Sequence, residues 1–186
     1  MKTHFRYMLL AAGAVTALAA HPGAAQMQAT LEPIKVTESS LRADQLDQEA
    51  LGYERTDMSL WRKAGRLRKE AASLRTNDDP KLTRSLYWAA RDYYYTGDES
   101  NARTLMVQSA ERALAIGDVV QAATAYTEAA YISAELRDYV NAREYATKAK
   151  LLAHSLLLTE SQREQLRTNL GVASLSSGLL ASLETR

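Results

Sequence analysis

"YYYTGDESNA", residues 93–102, decides the fold because its punctuation returns. A Gly-Asp pair, Gly97-Asp98, follows an aromatic run, and a small residue, Ala102, stands four places after the Asp. At 134–142, "AELRDYVNA" repeats the arrangement with Asp138 and Ala142. Two helices approach closely only where side chains are small, and Gly or Asp serves the tight turn between them. One such pair of helices cannot bury its apolar face alone, so it stacks on the next.

Working outward, the periodicity predicts helices on both sides of these turns. Leu82, Leu86, Ala89 and Tyr93 form the apolar stripe of a helix that starts at Asp79-Pro80, where Asp79 caps and Pro80 gives up an amide without a partner. A helix from about 99 to 116 follows, with Ala102, Leu105, Met106, Ala110, Ala113 and Leu114 apolar, until Gly117-Asp118 turns it. From 118 to 136 alanines, valines and Tyr126 cover most of the circumference, leaving a narrow polar strip of Gln121, Thr124, Glu128 and Glu135. Such a helix must be buried on most sides, which places it in the middle of the stack. Helix 139–157 buries Ala142, Tyr145, Ala146, Ala149, Leu152, Ala153 and Leu156. "TESQ" at 159–162 reads as a capping box opening a last helix to about 177, which loosens at Gly178, with "SLETR" frayed.

Before residue 80 the signals are weaker. Residues 26–39 contain Pro33 and no helical period, so a flexible or extended leader is expected. A short helix capped by Ser40 should end or loosen at Gly52. The next starts at Thr56 or Asp57 and aligns Leu60, Ala64, Leu67, Ala71 and Leu74, with Arg62, Arg66 and Lys69 opposite.

The first 25 residues follow the grammar of a secretory signal: Lys2 and Arg6, an apolar stretch from Tyr7 to Ala20, then small residues with cleavage expected after Ala25. That stretch is shorter than the roughly 20 residues of a membrane span, although an uncleaved anchor is the alternative. The expected location is therefore the periplasm or the extracellular space, with no stable membrane anchor after cleavage. The chain has no Cys, which excludes disulfides and thiol chemistry. Removing residues 1–25 takes away Lys2 and Arg6 and no acid, leaving 21 basic and 22 acidic residues, a balance that argues against nucleic acid as partner.

Charge is unevenly spread. Residues 26–57 carry seven acids against Lys35, Arg42 and Arg55, whereas 62–91 carry nine bases against Glu70, Asp78 and Asp79. Either the two segments neutralise each other by packing or remain solvated, or the second offers a basic surface to an anionic partner.

Ala90, Tyr93, Gly97-Asp98 and Ala102 in one unit, Tyr126, Ala130, Arg137-Asp138, Ala142, Ala146 and Ala149 in the next, and "NLG" at 169–171 resemble the tetratricopeptide repeat family. The resemblance covers about 80–178 and extends back towards 57. It implies an all-α fold of antiparallel helical hairpins stacked as a short right-handed solenoid of about six or seven helices. The turns at 97, 137 and 178 give a period of 40–41, longer than the ~34 of the family, so the helices must be longer. An unrelated helical bundle is the alternative fold.

In that family the first helix of each hairpin lines the inner surface, which implies a groove binding another protein or a peptide. The residues expected there are Arg84, Trp88, Arg91 and Tyr95, then Thr124, Glu128, Tyr131 and Glu135 forty residues on, then Gln165 and Asn169 followed by Val172 and Ser176. Trp, Tyr and Arg dominate interface hot spots, and guanidinium stacks on aromatic faces. Trp88 and Tyr95 could instead pack on the preceding helix near Trp61. No catalytic, cofactor-binding or metal residues are expected: His154 is the one histidine after residue 25, and no HExxH, GxSxG or phosphate-cradling glycine loop is present. The alternative to a binding module is a structural bundle that self-associates into a homo-oligomer without an open groove; an envelope enzyme ranks third.

Overall fold

The computed structural model describes residues 37–155 and 158–177, with the side chains of the last helix described as far as Asn169. The signal segment, most of the expected leader, Leu156, Gly178, "SLETR" and the side chains of Val172 and Ser176 lie outside the described residues. Among the described residues seven α-helices follow in order: α1 (Glu38–Thr56), α2 (Trp61–Ser73), α3 (Pro80–Tyr95), α4 (Glu99–Ala115), α5 (Val119–Glu135), α6 (Tyr139–Ala153) and α7 (Glu160–Ser177). From α1 to α6 each helix packs along the next in sequence, while α5 also packs on α7 and touches α3.

Three of the connections are built alike. Gly97, Gly117 and Arg137 take left-handed backbone conformations, with φ of 80°, 78° and 59°. Behind each, two amides return to carbonyls of the helix just ended. Asp98 N–H donates to Tyr93 O (2.9 Å) and Gly97 N–H to Tyr94 O (3.1 Å). Asp118 to Ala113 (2.8 Å) with Gly117 to Leu114 (3.1 Å), and Asp138 to Ser133 (2.9 Å) with Arg137 to Ala134 (3.0 Å), repeat the pattern. This paired closure satisfies carbonyls that the helix end leaves open. The Asp then caps the next helix, accepting from the amides of Asn101, Gln121 and Asn141. The caps at 98, 118 and 138 stand twenty residues apart, half the forty-residue interval between the two stretches quoted above. "TGDESNA", "IGDVVQA" and "LRDYVNA" are thus one unit written three times.

The alanines behind these caps let the helices close. Ala102, Ala122 and Ala142 have no exposed surface. The main core joins Leu82, Leu86 and Tyr93 of α3, Leu105 and Met106 of α4, and Ala125, Tyr126, Ala129 and Ile132 of α5. A second cluster, Ala123, Ala153, Leu158 and Leu166, seats α7 on α5 and α6. Thr127 and Ser133 are buried in α5 with their hydroxyls donating to carbonyls one turn back, so the burial leaves neither unmatched. Leu114, placed in the α4 stripe from sequence, is exposed instead. The expected capping box is present, with Thr159 N–H donating to Gln162 Oε1 (2.8 Å) and Gln162 N–H to Thr159 Oγ1 (3.3 Å).

The first helices differ from expectation in detail. α1 begins at Glu38 because Thr37, not Ser40, is its cap; Ser40 serves as the reciprocal third residue of the box. The helix runs through Gly52 to Thr56, so one helical glycine does not end it. Its weak apolar side forms a small separate cluster, Ala43 and Leu46 against Leu67 and Ala71 of α2 and Leu74 at its C-cap. Asp57 caps a 3₁₀ turn, Met58–Leu60, before α2 starts.

Charge supplies the rest of this contact. The Arg75 guanidinium is almost wholly buried and reaches Asp44 (2.7 Å) and Asp47 (2.8 Å) of α1 and Asp79 (3.0 Å). Arg68 bonds Glu54 of α1 (2.5 Å), and Lys81 reaches Asp44 (2.7 Å). The acid-rich and base-rich segments therefore pack together and neutralise each other in part.

Candidate functional site

α3 places Arg84, Trp88, Arg91 and Tyr95 at helical spacings of four, three and four, and its partners decide what each can do. Arg84 is exposed; the other three are half-buried. The Arg91 guanidinium lies 5.0 Å from the Trp88 ring and 5.6 Å from the Tyr95 ring, and Nη2 donates to the Tyr95 hydroxyl (3.1 Å). Cation–π contact with the aromatic faces offsets part of the cost of desolvating this cation. Tyr95 packs edge-on against Trp61 at 5.1 Å, and the Arg68 guanidinium lies 5.8 Å from Trp88. Trp88 and Tyr95 are thus engaged with α2 while keeping part of their surface open.

α5 supplies the facing residues. The Tyr87 hydroxyl donates to the Glu128 carboxylate, and the Tyr94 ring meets Tyr131 edge-on at 6.2 Å. Tyr131 donates to Glu135 (3.0 Å), which is exposed. Thr124 is half-buried with its hydroxyl turned to Val120 O (2.9 Å). In α7, Gln165 is exposed and donates to half-buried Asn169 (3.0 Å), one turn along the same helix. Side chains of α3 and α5 therefore meet across the helix boundary, and α7 joins the same body through Leu166, which packs with Ala123 and Ala153.

Electrostatics sharpen the centre of this wall. Burial pushes the Glu128 carboxyl above the usual carboxylate range, against the pull of Arg91 and the Tyr87 hydroxyl. Burial also pushes the Tyr87 phenol up, reinforced by the Glu128 charge, so it remains a donor. What results is an aromatic surface holding one guanidinium and one shielded carboxyl, flanked by exposed Arg84 and Glu135.

Tyr87, Tyr94 and Arg68 were not among the residues expected from sequence, whereas Trp61 was, as the place on the preceding helix where Tyr95 packs. A signal for the first existed: Tyr87 and Glu128 are forty-one apart, the interval of the repeat. Arg68 and Arg75 were hidden one step from the apolar positions 67 and 74, Arg68 within α2 and Arg75 just past its end.

His154 is exposed at the end of α6. Among the described residues, no group of three or more His, Cys, Asp or Glu is placed to hold a metal ion, and no helix is long and apolar enough to cross a membrane. Comparison with protein families, with curated proteins and with solved structures finds no match to this chain.

Proposed function

We propose that this chain is an exported binding module, a tetratricopeptide-like stack of helical hairpins that holds a peptide or a partner helix along the wall of α3, α5 and α7. The observation that carries the reading is the meeting of alternate helices, Tyr87 with Glu128 and Tyr94 with Tyr131. Alternate helices lying side by side are what a hairpin stack requires, and they form a continuous inner surface. The capped turn recurring every twenty residues supports the same architecture, at two helices per forty-residue repeat. Arg84 at one side and Glu135 at the other give a bound segment its direction.

Trp88 and Arg91 are poor probes, because Trp88 also packs on Arg68 of α2 and Arg91 is held by Trp88 and Tyr95 within α3. The exposed pair is better. Peptides selected from a random library on the purified protein should bind saturably, read by tryptophan fluorescence. Arg84→Glu and Glu135→Arg should each weaken binding about tenfold while leaving the melting temperature unchanged. Failure to select any saturable binder, or affinities indifferent to both charge reversals, would overturn the reading.

A second reading, self-association, draws on the corner where α5 ends and α6 begins, where Leu136 (38% exposed), Tyr139 (57%) and Val140 (80%) face solvent. Sedimentation separates the two: a dimer of wild type that Val140→Lys returns to monomer would favour it.

A further inference from the structure

The seam between α1, α2 and α3 holds more negative charge than its cations can match. Asp44, Asp47, Glu54, Asp79 and Asp92 share Arg68, Arg75 and Lys81. Arg68 spends itself on Glu54, whose Oε1 lies 2.5 Å from Nη2 and 2.6 Å from Nε. Asp92 Oδ2 is left 3.5 Å from Arg68 Nε and Asp47 Oδ1 3.7 Å from Nη1, both buried without a hydrogen bond. Asp92 is 2% exposed, walled in where α2 approaches at Gly65: a Cβ there would stand 3.1 Å from the Asp92 Cβ. A buried carboxylate lacking donors is costly, and a second carboxylate beside it raises the cost.

We propose that α1 is a proton-operated latch: it stays docked on α2 and α3 while the Asp92 carboxyl keeps its proton, and detaches when that proton is lost. Protonated, Asp92 is neutral and can donate to the Glu54 carboxylate beside it. Ionised, it faces Glu54 across the seam with Arg68 already committed. α1 is the element free to yield. Its packing is chiefly with α2 and the 3₁₀ turn, through an apolar cluster separate from the main core. Trp61 Nε1 donates to Glu54 O (3.1 Å), so an indole reports on the same contact.

The charged groups around Asp92 set the sign. From α1 it faces Glu54 and, beyond Arg68, Asp47; from α2, Arg68; along α3, Arg91. On the far side α5 turns Glu128 to Tyr87 and Arg91, and α4 turns Arg103 to Asp138. Burial, then the Glu54 charge, push the Asp92 carboxyl up to about 8 in the docked state, against the opposing pull of Arg68. Released from α1, it loses the facing Glu54 charge, and its value falls below the docked one. The docked state thus retains on Asp92 a proton that the released state gives up more readily. Docking weakens as pH rises between those limits, by up to about tenfold per pH unit, and levels off above them. Asp44 works the other way, since Lys81 and Arg75 hold its carboxyl below the usual range, and its contribution is lost only in stronger acid.

Hydrogen exchange on the full chain from pH 5 to pH 9, expressed as protection relative to intrinsic rates, tests this. Protection across 38–56 should fall by up to about tenfold per unit to pH 8 and then level, while α4 and α5 hold theirs, with Trp61 emission shifting in parallel. Asp92→Asn should hold α1 protection level across the range. Glu54→Gln, which removes the facing charge, should flatten the fall and gives the same comparison should Asp92→Asn fail to fold. Constant α1 protection in wild type, an identical fall in a variant that folds, or simultaneous loss in α1 and α5 would each overturn the latch.

Discussion

Between α1 and α3 the helices meet through arginines; between α4 and α6 they meet through alanines. Arg68 and Arg75 lie buried among carboxylates drawn from separate helices. Ala110, Ala122, Ala129 and Ala142 have no exposed surface and make no polar contact through their side chains. The two regions solve the same problem of bringing helices together, with different sensitivities. An arginine seam depends on partners remote in sequence, responds to pH, and fails badly if one member is removed. An alanine contact depends only on the size of the side chain, responds to volume, and ignores pH.

Breaking the charged seam should have the largest effect. Arg75→Ala strands Asp44, Asp47 and Asp79 beside a buried hole, and should cost about 3–5 kcal/mol in urea unfolding. In the alanine region, Ala129→Leu forces a larger side chain between α5 and its neighbours. It should cost about 1–3 kcal/mol, by an amount that does not change between pH 5 and pH 8. A pH-dependent penalty there would erase the distinction between the regions.

The turns give a finer test. Gly117→Ala places a Cβ on a backbone with φ of 78° and should cost about 1 kcal/mol, although open space surrounds the position. Arg137 already carries that strain at φ 59°. Arg137→Gly relieves it and loosens the unfolded chain, for a net gain of about 0.5–1 kcal/mol. Thermal melting of the two variants should therefore move in opposite directions, although the substitutions occupy equivalent places in the unit.

Much of the α3–α6 region was legible. Leu82, Leu86, Ala89 and Tyr93 were read as one stripe and all are buried. The turns at 97, 117 and 137 were legible because Gly and Asp signal a local conformation that needs no distant partner. Gly52 misled because a glycine's preference is weak against helix already propagating on both sides. Arg68 and Arg75 were illegible as buried residues. A cation reads as solvent-facing until its acids are located, and the only trace was the opposite charge excess of two neighbouring segments. In the candidate site, the α3 face was read from spacing, but the Tyr87–Glu128 contact required knowing that α3 and α5 touch.

By itself, then, the sequence determined the helices, their turns and the small residues at which they close, since these follow from local dihedral preference and side-chain size. The tertiary structure alone decided which charges are buried together and which aromatic rings face across helices. Those outcomes depend on distances between residues some thirty to forty positions apart, which only the packed arrangement fixes.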